Sequence, residues 1–214
     1  EKATYYNTTD ATYYDGVVGN WLFDDARKDG DTEILEVGTN YYVGLFHSRG
    51  REEYKTVDIR HILITPETGT KAQGDEGYED EQTQLKAAAR TKAEEILAQW
   101  KSGEATEDSF AQLAMENSAD GSKYDGGLYT RVTKGWAVEE FNDWCFDASR
   151  KDGDTGIVDT TYGSHVMYFV GYDLPAWAAS VTSDLQEKAS SEWSTALSEN
   201  ADVQQSDFGM KFVG

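Results

Sequence analysis

Three histidines, one cysteine and 40 carboxylates are what this 214-residue chain offers for chemistry. Cys145 stands alone, so no disulfide closes within the chain, and a cysteine-based metal site lacks its thiolates. Carboxylate pairs for hydrolysis can be drawn from any chain with 40 acids, so pairing by itself selects none. Asp75, Glu76, Glu79, Asp80 and Glu81 are dense enough to attract a cation but do not follow EF-hand spacing, and they read as a solvated loop. His47 lies outside any motif and reads as a surface residue. His61, in the apolar run VDIRHILIT, reads on residue type alone as a hydrogen-bonded core histidine. Asp120 in Ala-Asp-Gly-Ser reads as a turn former. Trp136, Trp144 and Phe141 suit a core or an apolar pocket better than a sugar platform, and Cys145 falls on an apolar helical face as an inert, buried thiol.

The elements that must hold these residues are announced by a repeat. WLFDDARKDGDTEI at 21–34 returns as WCFDASRKDGDTGI at 144–157, with ten of fourteen positions identical. Each copy predicts a helix, a turn and a β-hairpin. In the second copy Val138, Phe141, Cys145 and Ala148 recur at helical spacing. Between the copies, residues 57–65 alternate as a strand ended by Pro66, and 69–81 read as an exposed acidic loop. Ala89, Ala93, Ile96, Leu97 and Trp100 share one helical face, and Gly103 closes that helix. A short helix carrying Phe110, Leu113 and Ala114 follows, then a glycine-rich loop over 117–127. The order expected is β, α, α, loop, α, β, β. Beyond Pro175 a helix is predicted from Trp177 to about Leu197, with an extended segment at 208–213.

A formal charge of −21 excludes nucleic acid as the expected partner. Length and aromatic content suffice for one large or two small packed domains, so the chain is not wholly disordered. No run approaches the roughly 18 to 20 apolar residues of a membrane span, and the first residues lack the basic and apolar regions of a signal peptide. The sequence thus reads as a soluble chain, and composition leaves its compartment open.

Residues 57–172 resemble the parvulin family of peptidyl-prolyl cis/trans isomerases. The pieces fall in family order: His61-Ile62-Leu63 on the opening strand, a helix rich in Ala and Glu, and Phe110-Ala111-Gln112-Leu113-Ala114. Ser118 then leads to Gly126-Gly127, Val138 to Phe141 match the family's aromatic helix, and Thr160-Thr161-Tyr162-Gly163-Ser164-His165 match its closing motif. The resemblance implies an α+β fold, an antiparallel sheet wrapped by helices of the FKBP-like kind, and a shallow apolar site for proline. It implies no cofactor and no metal. His61 and His165 match the paired family histidines, Thr160 the threonine beside them, and Asp120 a position held by Cys or Asp. Tyr129, Ala137, Phe141 and Tyr162 would surround the proline, with Trp136 next to them. The chain departs from the pattern at Leu128-Tyr129-Thr130 after the paired glycines and at Ala137 in place of methionine. The phosphate-directed branch carries a basic loop where this chain has its acidic one, so a phosphoserine-proline substrate would be repelled.

The same alignment places Tyr42 at the position of His165 and Val37 at that of Thr160, so the first copy has no polar centre. It reads as the back half of a degenerate repeat. Three segments are expected: 1–55 as this half-repeat packing with the C-terminal segment in a smaller α+β domain, 56–174 as the isomerase-like domain, and 175–214 as helix and strand. The resemblance is closest to bacterial extracytoplasmic foldases acting on unfolded or extended proline-containing chains, exported and joined to a membrane only through an anchor upstream of Glu1. The alternative is a parvulin-fold binding module with weak or no catalysis, which grips unfolded clients; proline-peptide isomerisation separates the two.

Overall fold

The computed structural model describes residues 16–200, with side chains to residue 199. The extended segment expected at 208–213 lies outside the described residues. The chain divides into two compact units, Glu1–Arg51 and Glu52–Gly214.

The described part of the first unit is the first copy of the repeat: α1 (Val17–Phe23), β1 (Thr32–Val37) and β2 (Asn40–Leu45), the strands pairing antiparallel. Trp21, Leu35 and Phe46 form its small core. The second unit begins with β3 (Lys55–Ile64), followed by α2 (Tyr78–Ser102) and α3 (Glu107–Asn117). A 3-10 turn at Gly121–Asp125 leads into β4 (Leu128–Val132), then α4 (Glu139–Cys145), β5 (Thr155–Thr160), β6 (Gly163–Pro175) and α5 (Ala176–Asn200). Its sheet has the order β4-β3-β6-β5, antiparallel throughout, so the two longest strands lie at the centre.

Alternation of side chains along β3 and β6 gives the sheet two apolar faces. Ile62 and Val166 pack with Ala93, Ile96, Trp100, Phe110 and Leu113 under α2 and α3. Val57, Ile59, Met167 and Phe169 pack with Phe141 and Cys145 of α4 on the other side. Cys145 is fully buried, and desolvation pushes its thiol up to about 12. The sheet is therefore wrapped by helices on both faces, as expected.

The main-chain hydrogen bonds of the turn repeat between the two copies at an offset of 123 residues. Gly30 N–H donates to Phe46 O at 2.9 Å as Gly153 N–H does to Phe169 O at 2.8 Å. The Asp31 carboxylate accepts from Lys28 N at 2.9 Å as Asp154 does from Lys151 N at 2.9 Å. Arg27 lies 4.8 Å from the centre of the Trp21 ring and Arg150 lies 4.0 Å from that of Trp144. The shared KDGDT sequence is thus a turn whose second aspartate folds back on the amide of its lysine.

Several boundaries differ from the sequence reading. The acidic segment is loop only to Gly77; α2 starts at Tyr78, placing Glu79, Asp80 and Glu81 in its first turn. Carboxylates there face the positive helix end, and these turns have no apolar face for periodicity to reveal. Glu81 also accepts from Thr70 N at 3.0 Å and Lys71 N at 3.0 Å, pinning the loop to the helix. The helix of the second copy stops at Cys145, before Ala148, which is exposed in an Asp147-Ser149 turn where Ser149 N donates to Asp147 at 2.8 Å. The expected order lacked β4. That strand is five residues long, and its pairing with β3 shifts register between Val57 and Ile59. Arg131 sits at φ +54° there, its N–H held by Asp58 at 2.7 Å, so alternation is too short and too irregular to read.

Candidate active site

His61 and His165 lie on the central strands, both on the face turned to α4. In register, His61 is opposite Met167 and Leu63 is opposite His165, which makes the two rings diagonal neighbours. They stack at 17° with centroids 5.3 Å apart, and their Nδ1 atoms are 3.0 Å from each other. Both are buried, at 3% and 5% exposure. The outer ring nitrogens complete a chain: His61 Nε2 lies 3.2 Å from Asp120 Oδ1, and His165 Nε2 lies 2.9 Å from Thr160 Oγ1.

The direction of that chain follows from its acidic end. Partial burial pushes the Asp120 carboxyl up, but the Ser122 hydroxyl and amide, His61 and the Tyr129 hydroxyl outweigh it and bring it down to about 2. An ionised carboxylate only accepts. His61 therefore donates from Nε2–H to Asp120 and accepts at Nδ1 from His165 Nδ1–H, and His165 Nε2 accepts the Thr160 hydroxyl. Desolvation lowers both imidazoles, with Asp120 opposing it at His61 and the neighbouring His61 reinforcing it at His165, which falls to about 4. The pair is neutral at physiological pH.

Asp120 is set by local chain geometry. It caps the 3-10 turn, with Ser122 N donating to its Oδ1 at 2.8 Å; the Ser122 hydroxyl donates to the same oxygen, and Tyr129 Oη does so at 2.9 Å. Gly126 and Gly127 then bring the chain onto β3. Gly127 O accepts from His61 N at 2.9 Å, and a Cβ on Gly127 would stand 2.3 Å from His61 O. The paired glycines are what lets the Asp120 turn approach the histidine.

Above the rings is an open depression of about 470 Å³ lined by His61, Asp120, Tyr129, Trp136, Ala137, Val138, Phe141, Tyr162 and His165. Phe141 meets both imidazoles edge-on, at 5.5 Å and 5.3 Å, and Trp136 covers Tyr129 at 4.7 Å. Thr160 stands behind His165 rather than in the lining, and its Oγ1 accepts from Tyr162 N at 3.1 Å. The structure thus brings all nine sequence-selected residues to one place. Sequence reasoning missed Ser122 and did not assign Val138 to the lining; the Asp-Gly-Ser turn pattern held the signal for the first. His47 is on the surface, 3.3 Å from Asp29. A second hollow of about 360 Å³ lies beyond Thr160, but its Arg90 is already paired with Asp159 at 2.8 Å and Glu94 at 3.0 Å. Among the described residues no group of three or more His, Cys, Asp or Glu is placed to hold a metal.

Acid destabilises this centre in two successive windows. His165 takes a proton near pH 6.5 when unfolded and near 4 when folded, so its contribution is full above 6.5 and is lost as pH falls toward 4, on the order of 3 kcal/mol. Asp120 acts lower, its contribution present above 3.8 and lost as pH falls toward 2. Denaturant midpoints between pH 7.5 and 4 are expected to fall for the parent chain and to flatten for His165→Asn; equal slopes for both would remove His165 as the cause.

The chain is similar to known proteins. A family model described as the PPIC-type PPIASE domain matches residues 44–170, more than half the chain. Foldase protein PrsA 1 of Listeria innocua serovar 6a is 29% identical over 142 residues, covering 64% of this chain and 39% of that protein. The protein of that name from Listeria monocytogenes serovar 1/2a is 28% identical over the same length, with 64% and 39% covered. The crystal structure of PrsA from Bacillus subtilis is similar at a TM-score of 0.45 with 22% identity, covering 72% of this chain and 52% of that one. The chain spans 39% of the length of the Listeria relatives. Since the family match takes in the histidine pair and the whole lining of the depression, the chain belongs to the PPIC-type peptidyl-prolyl cis/trans isomerase family, the parvulins.

Proposed function

We propose that this chain catalyses cis/trans isomerisation of prolyl bonds in extended polypeptide segments and serves as a foldase. The observation that carries this reading is the neutral, fully bonded histidine pair at the floor of an open apolar depression. Isomerisation needs no nucleophile and no group transfer; its barrier, about 18 to 20 kcal/mol, is the amide resonance lost when the bond twists. A planar amide is strongly dipolar and is held by water, whereas the twisted amide is less so. An aromatic wall from Phe141, Tyr129 and Trp136 suits the proline ring and favours the twisted form over both planar ones. The floor must then be polar enough to orient the chain and free of full positive charge. An imidazolium there would stabilise the carbonyl oxygen of the planar amide and hold the substrate in its ground state. Asp120 and Thr160 keep the two rings in one neutral arrangement, and His61 and His165 present it to the substrate.

No lysine or arginine lines the depression. We therefore assign no preference for a phosphorylated residue before proline, and expect phosphoserine-proline peptides to isomerise more slowly than their unmodified forms. Kinship with foldase proteins and the resemblance set out above support clients that are unfolded, proline-containing polypeptides, and an extracytoplasmic setting. Among the described residues no helix is long and apolar enough to cross a membrane.

Exchange NMR on short Xaa-Pro peptides tests the activity. Exchange accelerated by the parent chain and lost in Asp120→Ala establishes an isomerase working through this site. No acceleration with any peptide, while the chain is folded, replaces the reading with a binding module for unfolded clients.

A further inference from the structure

Asp120 reaches His61 because the chain around it is strapped to β3 at both ends. Before the 3-10 turn, Ala119 N donates to Leu63 O at 2.9 Å and Leu63 N donates to Ser118 Oγ at 3.0 Å, which also accepts from Asp120 N at 3.2 Å. After the turn, His61 N donates to Gly127 O. Between these straps the turn ends on two carbonyls, Asp125 O and Gly126 O, and one side chain takes both. Arg60 Nη1 donates to them at 2.9 Å and 3.0 Å, while Arg60 Nε donates to Glu107 Oε1, in the first turn of α3, at 2.9 Å.

Arg60 does this from behind the site. It precedes His61 on β3, so its side chain leaves the opposite face of the sheet, the face on which Ile62 packs under α2 and α3. It takes no part in lining the depression. The side chain is 14% exposed, and a guanidinium so placed is costly unless both its charge and its N–H groups are met. Glu107 meets the charge. The two carbonyls are what the planar fork adds, and the compact ammonium of a lysine cannot span α3 and the turn in the same way. Gly126 is fitted to the arginine: a Cβ there would stand 2.9 Å from Arg60 Nη1 and 2.6 Å from the Ala111 Cβ. Arg60, Gly126 and α3 therefore fix the far end of the turn as one unit.

We propose that Arg60 is a positioning residue of the site: by holding Asp125 O and Gly126 O against α3, it sets where the Asp120 carboxylate meets His61, and so which nitrogen of His61 carries the proton. Ser122 N, Ser122 Oγ, Tyr129 Oη and His61 Nε2 all meet Asp120 at one oxygen, Oδ1. Ser122 rides on the turn with Asp120, whereas His61 and Tyr129 stand on the sheet. A displaced turn therefore keeps its internal bonds and loses those that tie it to the strands. The His61 contact, at 3.2 Å, is the longest of these and has the least slack. The effect of Arg60 on rate rests on the isomerase reading above; its effect on the histidine tautomer does not.

Long-range proton–nitrogen NMR spectra of the imidazoles read the tautomer directly and are expected to show His61 protonated at Nε2 in the parent chain. Arg60→Met keeps an unbranched stem and removes the donors. Its two His61 ring nitrogens are expected to move toward a common shift as both tautomers populate, and proline-peptide exchange to slow about tenfold. Arg60→Lys is expected to slow exchange about threefold, with a smaller shift in the same direction, and it decides the matter if the methionine variant does not fold. Thr56→Val is the control for stability: it removes a buried bond to Leu174 O, 2.8 Å long, from the same strand, and is expected to leave tautomer and rate as in the parent. A folded Arg60→Met chain with the parent's tautomer, or with exchange within about a factor of two of the parent, overturns the proposal. So does a Thr56→Val chain that shows both changes. If the parent accelerates no peptide, the isomerase reading is what fails, and the tautomer comparison still upholds or overturns the role of Arg60.

Discussion

Asp120→Ala is expected to slow proline-peptide isomerisation by about 10- to 100-fold while leaving the chain folded. The carboxylate is the one charged acceptor in the chain of bonds, and it receives Ser122 N, the Ser122 and Tyr129 hydroxyls and His61 Nε2. Without it nothing dictates which nitrogen of His61 carries the proton. The His61–His165 bond can then reverse, and Thr160 can turn its hydroxyl toward Gly163 O, 3.4 Å away. The substrate meets a mixture of floors in place of one. Asp120 also raises the proton affinity of both rings, so its loss lowers both further and the site stays neutral. The defect is one of orientation and does not disappear at any pH. Exchange NMR across pH 5 to 8 checks this; a rate within about a factor of two of the parent at every pH rejects a role for Asp120.

Gly127→Ala is expected to cost about 3 kcal/mol or more and to lower the melting temperature by roughly 10 °C. Two effects combine. The residue is at φ +75°, and its new Cβ would stand 2.3 Å from His61 O, 3.2 Å from His61 N and 3.0 Å from the Ala114 Cβ. None of these is the far end of a flexible side chain, so β3 and α3 must move. Gly153→Ala is the control: φ is +85°, but the nearest atom, Tyr168 Oη, is 3.9 Å away. It is expected to cost about 1 kcal/mol, the backbone term alone. Calorimetry of the two variants separates conformational strain from collision. Equal shifts would show that the approach of Gly127 to the histidine strand is not tight.

The sequence made the site more legible than the frame around it. His61, Asp120, Thr160 and His165 fall in short motifs that resemble the parvulin pattern, whereas residue type alone made His61 a core histidine and Asp120 a turn former. The strand of residues 57–65 and the helices after it were equally plain, since alternation and a four-residue step are strong signals over that length. What stayed hidden had weak periodicity. The opening turns of α2 are all polar, β4 is bent by Arg131, and α4 ends at an aspartate turn although Ala148 continues its spacing. Ser122 was missed for another reason, although the Asp-Gly-Ser turn pattern was there to be read. Its part comes from a turn that folds its hydroxyl back onto a residue two places earlier, and no pattern of polarity records that.

The duplicated turn sets this chain a problem of self-recognition during folding. Two nearly identical nuclei, 123 residues apart, each present a hairpin as a candidate mate for β3, and in synthesis from the N-terminus the first is complete before β6 exists. The copies diverge where that choice is made. Met167, fully buried opposite His61, is replaced by Gly44, whose missing side chain is overlain by the Trp21 ring with a Cβ position only 3.1 Å from it. His165 is replaced by Tyr42 and Thr160 by Val37, so a chain of bonds starting at His61 would find neither a second imidazole nor the hydroxyl beyond it. A β3 strand that settled on the earlier hairpin would forfeit a core methionine and its histidine partner, so the decoy is left for the later, correct mate.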